Sequence, residues 1–94
     1  MKSSGVTWTI EYDSKVRKQV RNIDASMRLR IKSFLEERVA LLDDPRQLGR
    51  ALEGNTLGHL WRYRVGDYRI ICDIQDARVV VLVIEIGHRS SVYR

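Results

Sequence analysis

Arg62, Arg64, Arg69, His88, Arg89 and Tyr93 are the residues of this chain whose types suit chemistry on a phosphate group. Guanidiniums clamp phosphate oxygens in pairs and stabilise the charge that builds on them in a transition state. His88 and Tyr93 are candidates for proton transfer. No metal site is expected, because two histidines and one cysteine give no zinc-ligand pattern. Paired carboxylates at catalytic spacing, a glycine-rich phosphate loop and a Ser-His-Asp signature are also missing. Such a set needs a substrate that brings its own nucleophile. RNA does so through its 2′-OH, which DNA lacks, so the chemistry would be selective for RNA.

Positioning these groups falls to the stretch Leu60-Trp61-Arg62-Tyr63-Arg64-Val65-Gly66-Asp67-Tyr68-Arg69-Ile70-Ile71-Cys72-Asp73. It reads as two strands joined by a two-residue Gly-Asp turn. Closing that hairpin pairs Val65 with Tyr68, Tyr63 with Ile70 and Trp61 with Cys72 on one face. The opposite face carries Arg62 and Arg64, with Arg69 directly across from Arg64. Like charges facing each other on a sheet cost a few tenths to ~1 kcal/mol, so either water or an anion must accommodate them. Tyr63, Tyr68, Trp8 and Trp61 fall on the core parity and read as packing residues. His59, in a loop, carries no site role.

The remaining chain supplies the support. Residues 6–12 alternate strictly, with Val6, Trp8, Ile10 and Tyr12 on one side, as in a half-buried strand. Asp13 or Ser14 caps a short helix with Val16, Val20 and Ile23 inside. A longer helix follows a cap at 24–26, with Met27, Ile31, Phe34, Leu35, Leu41 and Leu42 along one stripe, and Asp43-Asp44-Pro45 stops it. The two helices form an antiparallel hairpin against the sheet. Residues 46–58 hold three glycines and read as loop, with one turn at Leu48, Ala51 and Leu52. A two-residue loop at Asp76-Ala77 then leads into the run 79–84, apolar on both faces and therefore central. It places Val80, Leu82 and Ile84 beside the arginines, so that this face mixes cations with aliphatic surface and reads as a groove or a partner surface. Strict alternation sets Arg89 on the face opposite Arg69, and a bend at Gly87 is expected to bring it round.

Ninety-four residues with 44% hydrophobic and 31% charged content make one α+β domain over 1–94. The expected sheet is small, antiparallel and about four-stranded, packed by the N-terminal helix hairpin. A net charge of +5 and a pI near 9.8 favour polyanionic partners. The outward cations Lys15, Lys18, Arg21, Arg28 and Lys32 are a solvated helix face or contacts to RNA phosphates. Cys72 in a core strand and the lack of a signal peptide or long apolar run point to a reducing, cytoplasmic setting without membrane contact.

From 6 to 94 the order of elements, the hairpin Gly66-Asp67-Tyr68-Arg69 and the closing Gly87-His88-Arg89 with Val92-Tyr93-Arg94 resemble the RelE toxins of the RelE/ParE superfamily. The resemblance implies a microbial-RNase-like fold and a bacterial toxin without cofactor that cuts mRNA in the ribosomal A site by 2′-OH attack. It implies contacts with ribosomal RNA and a RelB-like antitoxin that wraps the toxin, operator DNA being reached only through that antitoxin. By the same resemblance Arg69 and Arg89 contact the scissile phosphate, and Tyr93 moves a proton or stacks on a base. Arg62 and Arg64 stand where the family carries basic strand residues, often lysine, one of them the proposed base. Arginine keeps its proton to a pKa above about 12. That leaves His88 or Tyr93 as the base here, or a purely electrostatic role for the two arginines. A gyrase poison of the ParE type, or a non-enzymatic basic RNA-binding domain, are the rival readings.

Overall fold

Gly66 and Asp67 do make the turn on which the domain is built. Gly66 has φ of 59° and Asp67 stays at negative φ, the pattern of a type II′ hairpin. The computed structural model describes residues 7–52 and 60–88. In chain order these give strand β1 (Thr9–Tyr12), helix α1 (Ser14–Gln19), helix α2 (Ala25–Glu37), and strands β2 (Arg50–Ala51), β3 (Leu60–Val65), β4 (Tyr68–Gln75) and β5 (Val80–His88). The sheet runs β1-β5-β4-β3-β2. It is mixed and five-stranded rather than purely antiparallel and four-stranded. β1 lies parallel to β5, and the other pairs are antiparallel. A parallel pair needs a crossover, which α1 and α2 supply.

The hairpin register is the one the alternation dictates: Val65 faces Tyr68, Tyr63 faces Ile70, Trp61 faces Cys72 and Arg64 faces Arg69. Tyr63, Ile70, Cys72, Val81 and Val83 are almost wholly buried against Val16, Ile31, Leu35 and Val39 from the helical side. Each such apolar side chain contributes ~1.5–3 kcal/mol, enough to fix which face of the sheet turns inward. β5 is central, between β1 and β4, as its unbroken apolar run requires.

Both helices stop earlier than their apolar stripes. Asp13 caps α1, its carboxylate accepting from the Lys15 amide at 3.3 Å. The helix tightens into a 3-10 turn at Val20–Asn22, and Ile23 is extended. α2 ends at Arg38, whose backbone leaves the helical region, and another 3-10 turn, Val39–Leu41, follows. There the Ala40 carbonyl accepts from the Trp8 amide at 2.8 Å. Residues 38–42 thus tie the second helix to the entry of β1 instead of prolonging it. Pro45 does not terminate the helix; it opens a separate turn, Pro45–Gln47, capped by Asp44.

The β4–β5 connection is four residues long, not two. Asp76–Arg78 forms a 3-10 turn and Val79 takes the left-handed region at φ 55°. The two added residues leave the side-chain parity intact, so Val80 and Leu82 still pair with Gln75 and Asp73 on the arginine face. Ile71 and Val80 on that face are buried, yet neither belongs to the helix-side core.

Candidate phosphate-binding site

Arg62 and Arg64 on β3 and Arg69 on β4 share the sheet face turned away from the helices. Edge strand β2 adds a fourth guanidinium, Arg50, directly across from Arg62. Alternation alone missed Arg50, because a two-residue strand inside a glycine-rich stretch has no period to detect. Its signal was Gly49, at φ 77°. A Cβ there would collide with the Arg62 carbonyl oxygen and lie 2.8 Å from Tyr63 Cδ1. Only glycine lets the chain press this closely on β3 before handing Arg50 to the sheet.

The approach is held from below by the aromatic residues of β3. Tyr63 donates its hydroxyl to the Pro45 carbonyl at 2.7 Å, and the Trp61 indole donates to the Leu48 carbonyl at 2.6 Å. Phe34 of α2 meets the Tyr63 ring edge-on, with centroids 5.8 Å apart. Burial pushes the Tyr63 hydroxyl's pKa above its ordinary value, so it stays protonated and serves as an anchor.

Arg50, Arg62, Arg64 and Arg69, with Gly49 and Tyr63, line a pocket of about 210 Å³. Among the described residues its lining contains no carboxylate. Arg69 is 9% exposed, at the floor, whereas Arg64 is exposed at the rim. Several of the described acids are engaged elsewhere. Asp76 takes Arg46 at 2.7 Å, with Asp44 beside it. Glu11 takes Arg78 at 3.2 Å, Glu85 takes Lys15 at 3.7 Å and Glu36 accepts from the Tyr12 hydroxyl. Arg50, Arg62 and Arg64 form no ion pair with any of them. Arg50, Arg62 and Arg64, which carry no ion pair among the described residues, gather with Arg69 in a concave site and make an anion receptor assembled before the anion arrives.

His88 does not join them. A bulge in β5 sets Ile71 against Glu85 while Cys72 faces Val83, so one extra residue enters β5 and the parity reverses. Gly87 consequently pairs with Arg69, and His88 pairs with Tyr68 on the helix side. The His88 and Tyr68 rings meet edge-to-face at 5.4 Å, and His88 borders a groove with Gln19, Asn22 and Ile23. The reversal comes from the bulge, upstream of the bend expected at Gly87. The parity that set Arg89 against the Arg69 face therefore no longer applies. Arg89, Tyr93 and His59 themselves lie outside the described residues. Lys15, Lys18, Arg21, Arg28 and Lys32 are all exposed on the helical layer, and none of them lines the arginine pocket. Among the described residues no helix is long and apolar enough to cross a membrane.

The family described as the ParE toxin of type II toxin–antitoxin systems matches residues 10–93. The chain belongs to this toxin family. Within the wider RelE/ParE superfamily the toxin is of the RelE type. It is 29% identical over 90 residues to the mRNA interferase toxin RelE of Escherichia coli K12, covering 94% of this chain and 92% of that one. Over 54 residues it is 43% identical to a toxin RelE of Mycobacterium tuberculosis, covering 57% of this chain and 55% of the relative. The toxin's fold matches the RelBE2 toxin–antitoxin complex of M. tuberculosis with a TM-score of 0.78 at 19% identity, over 96% of this chain and 100% of that one.

Proposed function

We propose that the toxin is a ribosome-dependent mRNA endonuclease that cleaves by attack of the 2′-OH on the adjacent phosphate, leaving a 2′,3′-cyclic phosphate and a 5′-OH. One observation carries this reading: four arginines surround one pocket whose lining, among the described residues, holds no carboxylate. The mRNA-interferase name of the E. coli relative, aligned over nearly the whole chain, supports the same class.

In this mechanism the RNA supplies nucleophile and electrophile together. Arg69, at the floor of the pocket, and Arg64 across from it hold the non-bridging oxygens of the scissile phosphate. As the 2′-oxygen attacks, those oxygens gain charge, and the guanidiniums are already in place to receive it. One such donor is worth ~2.7–4 kcal/mol of barrier. Arg62 and Arg50 extend the field along the backbone. None of the four accepts a proton at neutral pH, so their contribution is electrostatic. With His88 on the helix side, proton removal from the 2′-OH is assigned to Tyr93 or to water, the 5′-oxygen released as its bond to phosphorus breaks takes a proton from water, and Arg89 joins the phosphate clamp. The exposed helix cations Lys15, Lys18, Arg21, Arg28 and Lys32 contact ribosomal RNA. A RelB-like antitoxin neutralises the toxin in the cytoplasm.

The test is induction without antitoxin, followed by primer extension on a translated message. The expected result is growth arrest with new 5′-OH ends inside codons, lost in folded Arg69→Gln protein. Double-strand DNA breaks with intact messages would overturn the reading in favour of gyrase poisoning, the rival raised by the ParE name of the matched family. RNA binding with no cleavage in either variant would leave only a binding module.

A further inference from the structure

β2 covers β3 only as far as Arg62. From Tyr63 to Val65 the edge of β3 is open among the described residues, and just below it runs the last half of α2. A groove of about 530 Å³ wraps this edge, bordered by Arg30, Phe34, Glu37 and Arg38 from α2 and its cap and by Arg64 and Gly66 from the hairpin. Arg64 borders both this groove and the arginine pocket. The two are therefore neighbours across a single side chain.

Gly66 keeps the upper wall low. A Cβ built on it would stand 3.2 Å from Met27 Cε and 3.6 Å from Arg30 Nη1, so a longer side chain at the turn would crowd that guanidinium. Arg30 and Arg38 are exposed, and neither pairs with Glu37 or any other described carboxylate. Glu37 and the carbonyl end of α2 oppose an anion at the far wall, an effect confined to the helix's last turn and screened by salt. Arg30, Arg38 and Arg64 outweigh one carboxylate, and they favour an anion near Arg30 and Arg64 rather than deep against Glu37.

We propose that this groove holds a second backbone phosphate of the same RNA strand, next to the one gripped in the arginine pocket. Arg64 bridges the two, and Arg30 and Arg38 close on the outer phosphate. The inference rests on the proposed function for the identity of the strand. It adds a direction: the substrate crosses the sheet face from β2, passes over the uncovered edge of β3 and reaches α2. Phosphate contacts of this kind set register without reading bases. Arg30 and Arg38 are thus positioning residues, acting on where the strand lies and not on the reacting atoms.

The experiment measures equilibrium binding of full-length toxin to ribosomes programmed with a message that carries a 2′-deoxy nucleotide at the cleaved position. A single methylphosphonate, which removes one backbone charge, is placed at each phosphate on either side of the cut in turn. For the wild type, one flanking substitution is expected to weaken binding roughly tenfold, the scale of one charge-assisted hydrogen bond. The Arg30→Gln/Arg38→Gln double variant should bind the unmodified message roughly tenfold more weakly, and the same methylphosphonate should then cost it far less than the wild type, only the share that Arg64 still holds. Its salt dependence should also flatten, by about 0.7 in slope for each phosphate the protein no longer neutralises. Cleavage of the all-ribose message by the double variant should show raised KM and unchanged kcat. Penalties that multiply instead of merging, or a kcat loss with unchanged KM, would overturn the groove while leaving the nuclease reading intact. Merged penalties in a toxin that never cuts the ribose message would sustain the groove and remove the nuclease reading. No binding by the wild type would overturn both.

Discussion

Arg64→Gln should make the toxin more stable and less active at the same time. Arg64 is exposed, forms no ion pair with the described acids, and stands directly across from Arg69. Replacing its guanidinium by a neutral amide of similar stem removes a like-charge pair and breaks no salt bridge. Opposed like charges on a sheet cost ~0.2–1 kcal/mol. For a domain of this length 1 kcal/mol corresponds to about 4–8 °C in melting temperature, so a rise of about 1–8 °C is expected by circular dichroism at low salt. In 1 M salt, where the Debye length falls to about 3 Å, the gain should largely vanish. Single-turnover cleavage on programmed ribosomes should fall by roughly 10²–10³, the loss of one transition-state donor. A lower melting temperature with unimpaired cleavage would refute the reasoning and make Arg64 a structural residue.

Two further outcomes follow from the geometry. Gly49→Ala forces a Cβ against the Arg62 carbonyl at φ 77°; strain of ~1–3 kcal/mol should appear in denaturant unfolding, and cleavage should fall because β2 and Arg50 shift. An unchanged midpoint would mean that the 48–51 segment gives way freely. The Arg46 guanidinium holds the Asp76 carboxyl below its ordinary pKa. Its folded value being depressed, the pair's stabilisation is complete above the normal carboxylate range and is lost as pH falls through the lower, folded value. Asp76 is largely exposed and Arg46 partly so, and no more than ~1 kcal/mol is at stake. Arg46→Ala should lose that increment at pH 7, and its gap to wild type should narrow as pH falls below the normal carboxylate range, as read by urea midpoints; a gap that stays constant with pH would assign the contribution to packing.

The hairpin was legible because two independent local signals, period-two alternation and a Gly-Asp turn, agree on a single register. Arg62, Arg64 and Arg69 came with it, since a register fixes both faces at once. What stayed hidden has tertiary causes. Leu41 and Leu42 continue the apolar stripe of α2, but the Ala40 carbonyl is taken by the Trp8 amide, a partner 32 residues away in sequence that no local window contains. Val79 adopts a left-handed conformation that β-branched residues avoid, so a tighter turn at Asp76-Ala77 was the better local guess. Arg50 joined the site through a strand too short to have a pattern. His88 left it because of one residue inserted in the middle of an apolar run, where every neighbour is a plausible ladder partner.

That insertion near Ile84 works like a frameshift for side chains. Upstream of it even-numbered positions face the arginine side, and downstream odd-numbered ones do. Deleting the surplus residue would leave Gly87 across from Arg69. A strand that kept all its letters but lost the bulge would instead slide Ile86 opposite Arg69 and turn His88 to the arginine face. Two toxins with identical C-terminal spelling could therefore present opposite residues beside Arg69. Lining up such tails by letter alone misassigns their faces unless the strand before them is counted too.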